Sequence, residues 1–402
     1  VAFALFEKDS VVEHSQEHCA FKWLGSIVKQ RIGIHGFYGM QNLGDEALLQ
    51  VFLQEMRRIL PGYSPIVYCR GASNVKQDYG VSSIRVPTGW KRWFAQEWSL
   101  WQNSLFVLGG GGLLHDYGSD STGVRTWLSL LRRSQQIARK TALFFIGVDE
   151  IRHEESRKLI ADTIPRVDFI SVRDQRSADY LRDIGVTKPI HHLIDPAILL
   201  VEAMRCRWSE GAPLRVAVCL RHWFKSSMET EDESLFREIL NELAKSLDQL
   251  IEQYNAEIVF YPMRDISYDD DRLINRQVCE RLKHKESARC VEVSPDVSEF
   301  IHALEDVDIL IGMRLHSLIL ASAKGIPVIA LEYMPKIREY MQLIGQGAYI
   351  LPMETPFGER LDKNIDSILD DYHNVNLGLV NVTSEKQLSV RNVLNELFSL
   401  VK

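Results

Sequence analysis

From Arg31 onward the chain alternates short apolar runs with longer segments whose apolar residues recur at helical spacing. That rhythm leaves few architectures open, because strands separated by helices run parallel and need helices on both faces of their sheet. RIGIHG, SPIVYC, SLFVLGG, TALFFIGV and DFISVR read as strands of one series, and LRVAVCL, EIVFYPM, CVEV, VDILIGM and VIALEY as strands of a second. A chain of 402 residues also exceeds what a single core usually organises. The expectation is an α/β protein with two doubly wound domains, over residues 31–205 and 213–402. The charged, Gly- and Pro-containing segment VEAMRCRWSEGAP separates them. Residues 1–30 fit neither series and form an N-terminal extension of unknown structure. The final segment SEKQLSVRNVLNELFSLV reads as a helix that could cross back to brace the first domain. Two such domains facing one another leave a cleft at their strand ends, where open α/β sheets bind ligands.

Composition narrows the function classes. A formal net charge of −7 opposes a phosphate-backbone footprint, so nucleic acid is not an expected partner. The six cysteines (Cys19, Cys69, Cys206, Cys219, Cys279, Cys290) lack CxxC spacing and read as reduced thiols rather than a zinc knuckle or disulfide framework. No apolar run reaches the roughly 18 residues that cross a bilayer. The first residues also lack a basic start followed by a long apolar core. The expected location is the cytoplasm.

Chemistry concentrates in IGMRLHSLILASAKGIPVIALEYMPKI, where Arg314 and His316 follow a buried strand and open a nearly all-apolar helix. Two residues apart, they point about 200° from each other around the helix and can share a ligand only beyond its end. There the free N–H groups and the positive end of the dipole favour an anion, and Arg314 adds a forked donor. The plain alternative pairs Arg314 with an acidic residue and lets His316 cap a carbonyl. Two further cations favour a site. Lys336 follows Pro335 at the start of the next helix, and Arg173 ends a strand just before a helix in the other domain. Cations at three strand ends suit a small, highly charged anion such as a phosphate that also carries a carboxylate.

Other stretches say less. In GIHGFYGMQNLGDEALL, Asn42 or Asp45 could cap the following helix, but neither GxGxxG nor GK[ST] spacing is present. LFVLGGGGLLHD carries four consecutive glycines, of which Gly110 and Gly111 permit close backbone approach, with His115 and Asp116 beyond them as candidate acceptor contacts. Trp90, Trp93, Phe94 and Trp101 lie at near-helical spacing beside Lys91 and Arg92. Core packing is the plain reading there, with sugar stacking or a lipid-interface face as alternatives. Arg125, Arg132, Arg133, Arg139 and Lys140 make the next segment basic, compatible with an anionic membrane surface or with a solvated helix face.

Taken in order, FYGMQNLGDEALL, FVLGGGGLLHD, ISVRDQRSADYL, IDPAILL, IGMRLHSLILASAKGIPVIALEY and MPKI resemble the polysaccharide pyruvyltransferase family from about residue 31 to about 345. The resemblance implies two Rossmann-like domains of GT-B type, the first on the acceptor side and the second on the donor side. It also implies transfer of pyruvate from phosphoenolpyruvate to two hydroxyls of a sugar, forming a cyclic ketal. By that resemblance Arg173, Arg314, Leu315 and Lys336 hold the donor and His316 is the general acid. No metal or cofactor is implied beyond phosphoenolpyruvate as substrate. The expected partners are that donor and a sugar acceptor, with a lipid-linked acceptor and a peripheral contact at the inner membrane face left open. Met334 stands where the cell-wall branch has an acidic residue, so the acceptor is not carried over. The rival expectation is a GT-B glycosyltransferase using a nucleotide sugar, and the third a sugar-binding protein without activity.

Overall fold

The structure is a computed structural model that describes residues 30–87, 93–116, 121–149, 151–204, 208–222, 233–267 and 269–402. The N-terminal extension other than Gln30, together with Trp90, Lys91, Arg92, Cys19 and Cys206, lies outside the described residues.

Seven parallel strands form the first sheet: β1 (Arg31–His35), β2 (Ser64–Cys69), β3 (Ser82–Arg85), β4 (Asn103–Leu114), β5 (Lys140–Val148), β6 (Phe169–Val172) and β7 (His191–His192). Their order is β3-β2-β1-β4-β5-β6-β7. The second sheet takes β8 (Arg215–Cys219) and β9 (Glu257–Phe260). After a short hairpin of β10 (Asp265–Ile266) and β11 (Asp269–Asp270), it adds β12 (Ala288–Cys290), β13 (Ile309–Gly312), β14 (Val328–Glu332) and β15 (Ile350–Pro352). It runs in the order β12-β9-β8-β13-β14-β15. Both sheets therefore reverse direction beside their first strand, between β1 and β4 and between β8 and β13. Helices leave the two neighbouring strands toward opposite faces at that point, which opens a crevice at the strand C-termini. The central strands are buried on both sides, as expected for continuous apolar runs such as VDILIG.

The last helix, Tyr372–Ser399, returns to the first sheet's side of the molecule. Phe398 packs 5.5 Å from Phe52, and Leu394, Leu397 and Phe398 are fully buried. Each such side chain contributes roughly 1.5–3 kcal/mol. The polar ties, Arg58 Nη2 to Asn395 Oδ1 at 3.3 Å and Gln387 Nε2 to Ile198 O at 2.8 Å, add about 1 kcal/mol apiece. Apolar burial is thus the main clamp. One core cluster runs from Ile32 and Phe52 through Leu318 and Ala321 to Phe398, so both sheets and the last helix share it. No helix among the described residues is long and apolar enough to cross a membrane.

Candidate active site

The two reversal points face one cleft of about 990 Å³. The loop after β1 and the first turn of the helix it enters supply Asn42, Gly44 and Asp45, and the end of β4 supplies Gly111, Gly112 and His115. Arg173 comes from the end of β6, and Arg221, Arg314 and Lys336 come from beyond β8, β13 and β14. Asn42 is the cap of the Leu43–Ile59 helix, its Oδ1 accepting from Gly44 N at 3.2 Å. That leaves Asp45 uncommitted in the first turn.

Arg314 sits at the N-cap of the Leu315–Ala323 helix, without a side-chain capping bond. Its Nε donates to Asp271 Oδ2 at 3.0 Å, and its Nη2 donates to Asp271 Oδ1 at 2.5 Å and to Asp269 Oδ1 at 3.0 Å. The plain pairing alternative is therefore realised for this arginine, and it turns away from His316. Only Nη1 is left for a ligand in the cleft. Asp269 also receives Arg264 Nη1 at 2.9 Å and lies 3.9 Å from Arg221 Nη2, so one carboxylate gathers three arginines. Removing Arg314 would strand Asp271, which is fully buried. Arg314→Ala is expected to cost about 3–5 kcal/mol of folding free energy. Urea unfolding checks this, and a loss below about 1 kcal/mol would show that Asp271 is satisfied without it.

His316 points the other way, across the cleft. Its ring lies against Gly44 so closely that any Cβ at position 44 would occupy the imidazole's place. A glycine in the first turn of a helix costs about 1 kcal/mol relative to alanine. Here that cost makes room for the ring. His316 Nε2 is 3.5 Å from Asp195 Oδ2, an ion-pair distance without hydrogen-bond alignment. The same oxygen accepts from Arg173 Nη1 at 3.1 Å, and Asp195 Oδ1 accepts from Ala197 N at 3.0 Å. Burial opposes ionisation of Asp195, but His316, Arg173 and the Ala197 amide outweigh it and hold the carboxyl at about 2. Asp195 thus joins an arginine of the first domain to the histidine of the second.

Lys336 stands at the second position of the Pro335–Leu343 helix, and among the described residues its Nζ has no hydrogen-bond or ion-pair partner. Burial pushes its pKa down, and the charges of Arg173 and Arg221 push it further against the opposing pull of Tyr333 and Asp149. Arg221 stacks 5.0 Å over the Tyr333 ring and donates to its hydroxyl at 3.0 Å. Asp45 behaves in the opposite sense: burial, only partly offset by Arg173, pushes its carboxyl up to about 7. A Cβ on Gly111, which has φ +91°, would come within 2.7 Å of Asp45 Oδ1, so the glycine lets the backbone close over that carboxylate.

Leu315 and His115 line the cleft, but two other candidates do not. Gly110 faces the helix behind, where a Cβ would meet Leu48 at 2.9 Å. Asp116 is buried, with Oδ1 accepting from Arg152 N at 2.6 Å and Oδ2 from His153 N at 3.0 Å, so it organises a loop. Cleft residues passed over in the sequence include Arg70, Arg221, Arg264 and Tyr333. All four follow an apolar strand, the signal that singled out Arg173 and Arg314.

A family model described as polysaccharide pyruvyl transferase matches residues 42–334, which spans every cleft residue named above except Lys336. No curated protein matches the chain. Among solved structures, a glycosyltransferase from Rickettsia africae ESF-5 aligns with a TM-score of 0.59 at 15% identity, covering 93% of this chain and 99% of its own. A Listeria monocytogenes structure assigned as a UDP-N-acetylglucosamine 2-epimerase gives 0.59 at 11% identity, over 92% and 96%. A UDP-GlcNAc 2-epimerase from Methanocaldococcus jannaschii gives 0.55 at 10% identity, over 85% and 92%. At such identities these neighbours establish the architecture, two parallel α/β sheets of GT-B type, and nothing of the chemistry. With the family model covering well over half of its length, the chain belongs to the polysaccharide pyruvyl transferase family.

Proposed function

We propose that the cleft binds phosphoenolpyruvate beside a sugar and transfers pyruvate to two of the sugar's hydroxyls, giving a cyclic ketal and phosphate. The observation that carries this reading is the convergence of Lys336, Arg173 and Arg221 from both domains on one cleft, where burial first and then the two arginines' charges push the lysine's pKa down against Tyr333 and Asp149. Arg173 is already paired with Asp195 and Arg221 lies 3.9 Å from Asp269, so Lys336 is the cation of the three that an incoming anion would chiefly neutralise. Phosphoenolpyruvate offers a phosphate and a carboxylate on a three-carbon frame, a charge density that suits the cluster. The remaining volume accommodates an acceptor.

In this reading His316 delivers a proton to the donor's methylene carbon, which makes C2 electrophilic. One hydroxyl attacks C2, the C2–O bond to phosphate breaks, and the second hydroxyl closes the ketal. Two protons leave the acceptor's hydroxyls. One balances the proton delivered to carbon and the other leaves on hydrogen phosphate. Asp45, with a pKa near the working pH, is the group we assign to take a hydroxyl proton. The developing charge on phosphate would be met by Lys336 and Arg221.

The second reading, transfer from a nucleotide sugar, draws on Glu339, a cleft residue with one buried carboxylate oxygen that has no hydrogen-bond partner among the described residues and could accept from a ribose hydroxyl. Incubation with phosphoenolpyruvate and a panel of aryl and lipid-linked glycosides separates the two. Phosphate release with an acceptor mass gain of one pyruvic acid less one water is the expected result. Turnover with nucleotide sugars alone would overturn it.

A further inference from the structure

The helix Trp93–Trp101 is built inside out. Its buried residues are Gln96, Glu97, Ser99 and Leu100, while Trp93, Phe94, Trp98 and Trp101 are 46%, 76%, 68% and 51% exposed. These are four of the eight exposed large hydrophobic side chains among the described residues, and the other four are Leu273, Val293 and, eleven residues apart on the last helix, Leu377 and Leu388. Phe94, Trp98 and Trp101 follow i, i+4, i+7 spacing and share one face.

The orientation is fixed from within. Glu97 accepts from Arg133 Nε at 2.7 Å, and Ser99 Oγ lies 2.6 Å from the Tyr68 hydroxyl, which also receives Asn103 Nδ2 at 3.0 Å. Rotating the helix to bury its aromatics would break these partnerships and leave Glu97 and Ser99 to be satisfied elsewhere. The core-packing expectation for this stretch is thus replaced by an aromatic face pinned outward.

The chemistry of that face selects its occupant. Apart from the indole N–H donors of Trp93, Trp98 and Trp101, the exposed residues of the helix carry no polar side-chain group, so the face has no acceptor for a sugar's hydroxyls. Tryptophan and phenylalanine are the residues that settle at the boundary between headgroups and acyl chains. At the edge of the face the Arg139 guanidinium lies 5.3 Å over the Trp101 ring, and among the described residues it has no carboxylate partner. A cation beside an aromatic anchor, with its charge unneutralised, matches a lipid phosphate.

We propose that the Trp93–Trp101 helix is a membrane-interface anchor that seats Phe94, Trp98 and Trp101 among acyl chains, with Arg139 on anionic headgroups. This inference is independent of the reaction assigned to the cleft.

Flotation with vesicles of phosphatidylcholine and phosphatidylglycerol, two to one, tests it on the full chain. We expect the protein to float with these vesicles and to bind pure phosphatidylcholine more weakly. The combined Phe94→Ser, Trp98→Ser and Trp101→Ser variant should lose roughly tenfold or more of the binding, with its melting temperature unchanged because the replaced side chains are exposed. Absence of flotation, or equal flotation of the variant, overturns the proposal. So does a concentration-dependent dimer abolished by the same variant, which would assign the face to a second copy. Should the triple variant fail to fold, tryptophan quenching of the native protein by brominated lipid decides, and no quenching overturns it.

Discussion

Replacing His316 with alanine is expected to lower turnover by about 10²–10⁴-fold, the range for a general acid, while binding of phosphoenolpyruvate persists. The division follows from the geometry. His316 leans on Gly44 and Asp195, whereas Lys336 and Arg221, the latter stacked on Tyr333, come from other elements and make no hydrogen bond or ion pair with it among the described residues. The donor's charge should therefore still be met. A rise in melting temperature on adding phosphoenolpyruvate would report binding without turnover, since a ligand held only by the folded state stabilises it. Gly44→Ala provides a second route to the same loss, because the new methyl group takes the space of the imidazole while His316 itself remains. Unchanged turnover in His316→Ala removes its assigned role. Lost turnover together with lost thermal stabilisation would place His316 in donor binding instead.

The strand-end logic that picked out Arg173, Arg314 and Lys336 works because parallel sheets deliver their C-termini to one edge. Applied to every strand, it also points to Arg70, Arg221 and Arg264, which line the same cleft. Sequence cannot say which of these arginines is free. Arg314 is largely consumed by Asp271 and Asp269, and those aspartates sit in a hairpin region whose placement is a tertiary fact. Asp195 stands in IDPAILL, one of the stretches that carry the sequence resemblance and lie within the matched range. Its function as the link between Arg173 and His316 depends on contacts between the two domains. The Trp93–Trp101 helix shows the limit most clearly. Aromatic periodicity predicts a one-sided helix but not which side faces inward, and Arg133 and Tyr68 decide that.

Asp45→Asn is expected to lower turnover by about 10²–10⁴-fold while making the protein harder to unfold at neutral and alkaline pH. Both effects have one origin. Desolvation of the half-buried Asp45 carboxyl, with Arg173 and Arg264 as partial compensation and Glu46 and Asp195 adding to the rise, pushes its pKa up to about 7 from its ordinary 3.8. A carboxyl whose folded pKa is raised contributes its stability fully below the unfolded value. That contribution is lost as pH rises through the folded one, here between about 4 and 7. Above pH 7 the native protein thus carries a buried charge costing up to roughly 4 kcal/mol, which the amide removes. The difference in melting temperature between the variant and the native protein should grow from pH 4 to pH 7 and then level off. The rising limb of kcat/KM near pH 7 should disappear in whatever activity the variant retains, since that limb reports the free enzyme's base. A variant that gains stability and keeps both its rate and its pH profile would show that Asp45 only shapes the cleft. A variant that loses rate without the pH-dependent gain would mean that the carboxylate is solvated in the native protein, and the buried-base assignment would fail.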